Sequence, residues 1–348
     1  MIFICVVIAV VVLKFASSVI LPLTIAVLLA FVMYPLIKAL DKIRCPRVVS
    51  IILIVVIIVF GLYIFGVVLF TSGRVIVAQL PNYESRFMEI YSEIARLFEL
   101  PNDEALSVWQ NLWDQQGIRA FIRGFTFSFS NHVLHFISSA FFVVLFMVFI
   151  LLEASHFREK LETAFEGRAA RINRMGNDLI TQVTRYLAAK FFISLANGVI
   201  FAVAFELVGL EFAIVWGVFQ FVMNFIPAIG SIVTGVVISL FAIVQFWPEP
   251  GPIILVIAII LGVNIILGSA LDPKIVGERV GISPLMILIS LTMWSYIWGF
   301  AGMILAVPMT VIIRIICDNI PILEPVSILM GSRRSVQAKK AEMERTEE

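Results

Sequence analysis

Long stretches of this chain carry no charged side chain, among them Val49 to Thr71, Pro252 to Leu271 and Val280 to Ile313. Each meets the roughly 20 residues that a helix needs to cross a bilayer core of about 30 Å. The rest of the chain departs from water-soluble folds in the same direction. Its residues are 61% hydrophobic and 14% charged, against about 45–50% and about 25% in globular domains. The runs are continuously apolar rather than alternating, so they predict helices and not the strands of an outer-membrane barrel. The expected fold class is all-α, a polytopic integral membrane protein.

Charge then sets the sidedness, because Lys and Arg collect in cytoplasmic segments. Leu36 to Arg47 carries Lys38, Lys42, Arg44 and Arg47 against Asp41 alone, and reads as cytoplasmic. Ser72 to Asn131 is acidic in balance and reads as external, whereas Glu153 to Lys190 is rich in Arg and Lys and returns inside. The tail, with Arg314, Arg333, Arg334, Lys339, Lys340 and Arg345, is expected inside as well. Ile2 to Leu13 lacks the positive leader of a signal peptide and reads as a retained first span, so both termini are placed in the cytoplasm.

The resulting division is 1–71, N-terminal transmembrane scaffold helices; 72–131, an extracytoplasmic amphipathic helical insertion; and 132–152, a transmembrane helix. There follow 153–190, a cytoplasmic amphipathic helix; 191–320, a C-terminal transport region with broken hairpins; and 321–348, a cytoplasmic tail. Both insertions show apolar stripes at spacings of three and four, Tyr83 to Leu97 and Phe157 to Leu187. Such stripes suit packing on neighbouring protein, lipid headgroups or another subunit.

The apolar region after Lys190 is interrupted. Leu210 to Phe212 breaks it once, and Asn224-Phe225-Ile226-Pro227-Ala228-Ile229-Gly230 breaks it again. Proline removes a backbone donor and glycine is permissive, so Pro227 and Gly230 mark a kink or break. Parity of crossings makes Phe212 to Phe246 a hairpin with arms too short for full spans. Val280 to Ile313 poses the same problem: about 34 residues make one helix of about 50 Å, so it must fold back. Gly299, Gly302 and Pro308 are the candidate turning points, giving a second hairpin or a pair of short spans.

Broken helices at membrane depth survive only against protein or a water-filled cavity, and they point to transport sites. Gln220, Asn224 and Asn264 offer neutral hydrogen bonds to a polar solute, although such amides also join helices to each other. Asp272 is the first choice for coupling to H⁺ or Na⁺, and the competing reading is a charge at a helix end. The phosphate loop of nucleotide-driven pumps is absent, and His132, His135 and His156 form neither a zinc-protease pair nor a partner for a catalytic serine. Cys5, Cys45 and Cys317 are scattered and suggest packing. No enzyme activity, cofactor, metal or nucleic-acid partner is expected.

Four sequence elements then stand together: Ile20-Leu21-Pro22-Leu23 with Tyr34-Pro35-Leu36, Asn224 to Ser231, Asp272-Pro273-Lys274-Ile275-Val276-Gly277, and Gly302 to Pro308. In this order and spacing they resemble the autoinducer-2 exporter family of bacterial permeases. The resemblance implies seven or eight spans in the bacterial inner membrane, a homo-oligomer, and secondary transport. Its solute would be a small polar signalling molecule such as autoinducer-2, with Na⁺(Li⁺)/H⁺ antiport as the alternative. By position, the family's Asn-Phe/Tyr-Ile-Pro turn falls on Asn224 to Pro227 and its acidic-Pro element on Asp272 and Pro273. The expected moving unit is the Phe212 to Phe246 hairpin with Pro252 to Pro308. A non-transporting scaffold that binds a partner through its external helices is the third reading.

Overall fold

The computed structural model describes residues 2–97, 138–154, 160, 163–164, 169–271 and 281–332. These are almost wholly helical. In chain order they form α1 (Ile2–Phe15), α2 (Ser17–Lys42) and α3 (Arg47–Leu97), then α4 (Ser138–Ala154). The long α5 (Ala169–Val208) precedes α6 (Ala213–Met223), α7 (Ile229–Phe246) and α8 (Pro250–Val263), which runs into a π-helical turn over Asn264–Leu271. The described residues end with α9 (Pro284–Asn319) and α10 (Glu324–Met330). Six of these helices contain stretches long and apolar enough to cross a membrane, and α4 and α6 are shorter apolar helices. Phe60, Phe149, Leu240 and Ile254 are each about 60% exposed. Apolar side chains facing outward along apolar helices fit a lipid surround, and the protein is a polytopic α-helical membrane protein.

Two helices overrun the segment boundaries read from charge. The 51-residue α3 continues without a break past Thr71 and through Pro81 to Leu97, a length of about 75 Å. The 40-residue α5 runs through Lys190, whose side chain is 2% exposed. Charge changes along these helices, but the helical backbone does not stop there.

The chain divides into two compact units. Unit 1 comprises Met1–Ile58, Ala140–Ile193 and Gly268–Glu348; unit 2 comprises Val59–Ser139 and Ser194–Leu267. In unit 1, α2, α3 and α4 pack around Ala26, Ala30, Ile37, Ile51, Ile54, Val143, Met147 and Leu151. Arg47 at the start of α3 donates Nη2 to the Leu151 carbonyl at 2.9 Å, and Thr184 of α5 donates to the Phe31 carbonyl at 2.7 Å.

The expected fold-back lies within α9 of unit 1. Helical geometry fails at Trp298 and at Gly299, which has φ +60° and ψ −137°, a conformation reserved in practice for glycine. The turn is therefore at Gly299, while Gly302 and Pro308 lie buried in the second arm. The arms are joined by Ser290, whose hydroxyl donates to the Ala306 carbonyl at 3.0 Å and also meets Thr310. At the tip, Trp298 Nε1 donates to the Leu13 carbonyl of α1 at 3.0 Å, and the Lys14 ammonium lies 3.7 Å from the centre of the Tyr296 ring. The isolated antiparallel bridge of Ile282 with Gly331 returns the C-terminal end to the start of α9.

Unit 2 is built on the other interrupted stretch. α5 ends at Gly209, whose φ of +80° lets Leu210 N–H reach back to the Phe205 carbonyl and Gly209 N–H to that of Glu206, the two bonds of a Schellman cap. Phe201, Phe205, Leu210, Ala213, Ile238, Ala242, Val256 and Ile260 form the core where α5 to α8 meet.

Candidate functional site

The hairpin read from the sequence over Phe212 to Phe246 is present, with arms of 11 and 18 residues, α6 and α7. Its base is closed by Gln245. The side-chain Oε1 accepts from Glu211 N–H at 2.8 Å, and Nε2 donates to the Gly209 carbonyl at 2.8 Å. Phe241 of α7 lies between Trp216 and Phe212 of the α6 side, at ring separations of 5.0 and 5.8 Å. Only the tip, Asn224 to Ala228, lacks regular structure.

At that tip the backbone is forced through a tight turn. Ile229 N–H donates to the Pro227 carbonyl at 2.7 Å across Ala228, which has φ +61° and ψ −52°. This is the positive-φ γ-turn, a rare and strained conformation for an L-residue. Gly230 follows, and a Cβ there would lie 2.6 Å from the Met223 carbonyl carbon and nearer still to its oxygen. Glycine is required because the first turn of α7 rests on the last carbonyl of α6. Thr234, fully buried, donates to the Gly230 carbonyl at 2.7 Å. Ala228→Gly relieves the strained φ at the expense of unfolded-state entropy. It is expected to stabilise the protein by about 1 kcal/mol, read as a higher melting temperature in detergent.

Gln220 and Asn224 are four residues apart and share one face of α6. Opposite them, α5 supplies two residues that sequence reasoning did not single out, Ser194 and Asn197. Asn224 donates Nδ2 to Ser194 Oγ at 2.9 Å, and its Oδ1 accepts from Asn197 Nδ2 at 3.4 Å. The helices approach closely because Gly198 and Gly217 meet backbone to backbone. A Cβ on Gly198 would stand 2.7 Å from the Gly217 carbonyl oxygen, and one on Gly217 would stand 2.6 Å from that of Gly198. Small residues at a crossing are how membrane helices pack tightly without a hydrophobic drive. All four polar side chains are buried: Ser194 0%, Asn197 1%, Gln220 0% and Asn224 6% exposed.

Of the remaining residues expected at the site, Pro227 and Gly230 form the tip just described. Asn264 lies on the next helix, one turn beyond Ile260, whose side chain is 3.4 Å from where a Gly235 Cβ would be. In an antiparallel pair this sets Asn264 level with the start of α7. Its Oδ1 is buried without a hydrogen-bond partner. Asp272 and Pro273 lie outside the described residues, as do the three histidines. Among the described residues no cluster of His, Cys, Asp or Glu could hold a metal ion. Glu206 is exposed. The Glu211 main chain is occupied by Gln245 and by Trp216 Nε1, which donates to its carbonyl at 3.1 Å.

Ser194 and Asn197 left a faint mark in the sequence. They are three apart beside Gly198, on a stretch of helix that also buries Ile193, Phe201 and Phe205. That pattern, two polar residues and a glycine on an apolar face, marks a helix crossing with polar content.

The arrangement places uncharged hydrogen-bonding side chains beside the tip of a helical hairpin. The model of the AI-2E family transporters matches residues 3–322. The chain is 30% identical over 319 residues to a candidate transport protein of Borreliella burgdorferi, covering 91% of this chain and 86% of that one. It is 27% identical over 325 residues to the AI-2 transport protein TqsA of Escherichia coli, covering 91% of each. With the candidate transport protein YueF of Bacillus subtilis it shares 25% identity over 346 residues, 94% of this chain and 90% of that protein. These relatives are bacterial, and each match covers 86% or more of both chains. The family match and the helical fold agree that the chain belongs to the AI-2E transporter family and is a multi-pass membrane transporter.

Proposed function

We propose that the protein is a secondary transporter of the bacterial inner membrane that exports a small polar solute such as autoinducer-2, bound at the first hairpin. The observation that carries this reading is the buried, uncharged cluster of Ser194, Asn197, Gln220 and Asn224 beside the break between α6 and α7. Interrupted helices with polar side chains are where transporters hold their solutes. The named activity of the Escherichia coli relative, AI-2 transport, supports that choice of solute.

In this reading Pro227 and Gly230 shape the tip and Asn264 adds an amide from the neighbouring helix. Asp272, with Pro273, couples the movement to H⁺ or Na⁺. The Lys and Arg content of Leu36 to Arg47 and of the tail supports cytoplasmic termini, and assembly into a homo-oligomer follows the family resemblance.

Everted membrane vesicles containing the protein are expected to accumulate autoinducer-2 several-fold over vesicles containing Asn224→Leu when a proton gradient is imposed. Equal accumulation in both contradicts the assignment. A Na⁺-dependent collapse of the gradient with no solute uptake points instead to cation/proton exchange.

A further inference from the structure

The four polar residues of the cluster are not equivalent, and their unused hydrogen-bonding atoms separate them. Asn224 is occupied at both ends of its amide, donating to Ser194 and accepting from Asn197. Its own N–H closes the last turn of α6 on the Gln220 carbonyl at 2.9 Å. Gln220 has neither end occupied: Nε2 and Oε1 are both buried without a partner, and so is Asn197 Oδ1.

The residues that carry these three atoms stand at one level of the α5–α6 contact. The antiparallel contact of α5 with α6 brings Gly217 and Phe221 onto Gly198, which sets Gln220 level with Asn197 and Gly198. Gln220 also shares its helix face with Asn224, to which Asn197 is bonded.

A buried amide with no partner is a standing loss of stability, and native structures keep such groups for a reason. A side chain needed only to fill space there would be Met or Leu, with the same bulk and no loss. A side chain needed only to join helices would have its atoms engaged, as those of Asn224 are. We infer that Gln220, together with Asn197 Oδ1, is the part of the site that touches the transported solute, and that Asn224 is the brace that positions it.

This inference rests on the transport function proposed above and adds the chemistry of contact. The free atoms comprise one NH₂ donor and two carbonyl acceptors, none of them charged. Two carbonyl oxygens are too few to replace a cation's hydration shell. A hydroxyl on the solute, which both donates and accepts, engages two of the three: it accepts from Gln220 Nε2 and donates to Asn197 Oδ1 or Gln220 Oε1. The solute therefore presents an uncharged hydroxyl, or a group of the same dual character, to this pair.

Gln220→Met and Asn224→Leu, purified and reconstituted, separate the two roles by melting temperature and by the kinetics of autoinducer-2 flux. Gln220→Met is expected to melt at or above the wild type, because it forfeits no bond, and to raise KM about five- to tenfold with little change in maximal rate. Asn224→Leu is expected to melt below the wild type. Gln220→Met melting as low as Asn224→Leu overturns the inference, as does an unchanged KM in Gln220→Met when the wild type carries flux. A folded wild type that carries no autoinducer-2 removes the proposed function and this inference with it, so the two failures are told apart by the wild-type measurement.

Discussion

Gly230→Ala is expected to abolish transport and to destabilise the protein by about 3 kcal/mol or more. The magnitude follows from what the methyl group meets. It would overlap the Met223 carbonyl, a backbone group in the last turn of α6, so no rotamer change can make room. Over-packing against side chains costs about 1–3 kcal/mol, and a rigid carbonyl exceeds that range. Relief requires α7 to lift from the end of α6. That movement breaks the Gly230 N–H bond to the Ile226 carbonyl, 3.1 Å long, and carries Thr234 away with it. Asn224, at the C-terminal end of α6, then loses its placement against Ser194. Melting temperature and flux measured on the same preparation are both expected to fall. A variant that melts like the wild type shows that the tip is looser than this packing implies.

The second large effect belongs to the other hairpin. Gly302→Ala places a Cβ 2.6 Å from the Trp294 carbonyl carbon, nearer still to its oxygen, and 3.2 Å from Trp298 Cβ. The arms of α9 would be pushed apart at the level where the Trp294 and Trp298 rings lie 4.8 Å apart. Separation there also strains the Ser290 bond to the Ala306 carbonyl and the seat of Trp298 on Leu13. A loss of about 3 kcal/mol or more is expected. The adjacent turn gives a smaller companion effect, because Gly299→Ala meets no neighbouring atom but must adopt φ +60°. Melting curves that rank wild type above Gly299→Ala above Gly302→Ala fit this account. Reversal of the two variants places the tight contact elsewhere.

Much of this was legible in the sequence because the bilayer leaves few options. Uncharged stretches such as Pro252 to Leu271 could only be helices, since no other backbone satisfies its own polar groups in lipid. The Val280 to Ile313 run was too long for one crossing, and Gly299 was among its candidate turning points. Pro227 and Gly230 announced the first hairpin, and Gln220 and Asn224 stood out as amides in apolar surroundings.

Other features were hidden for physical reasons. Charge changes sign near Thr71 and Lys190, but a helix ends where its hydrogen bonds end, so α3 and α5 run on. Ser194 and Asn197 are ordinary helix residues by spacing, and only the Gly198–Gly217 contact brings them to Asn224. Ala228 gives no sign of a positive φ, because alanine favours helix. The turn is imposed by Pro227 on one side and by the packing of Gly230 on the other.

The most direct test of the central claim is flux of autoinducer-2 across sealed proteoliposomes of the purified protein under an imposed proton gradient, with Asp272→Asn alongside. The account predicts saturable flux that depends on the gradient in the wild type and loses that dependence in Asp272→Asn. Folded wild-type protein that moves no autoinducer-2, with or without the gradient, contradicts it.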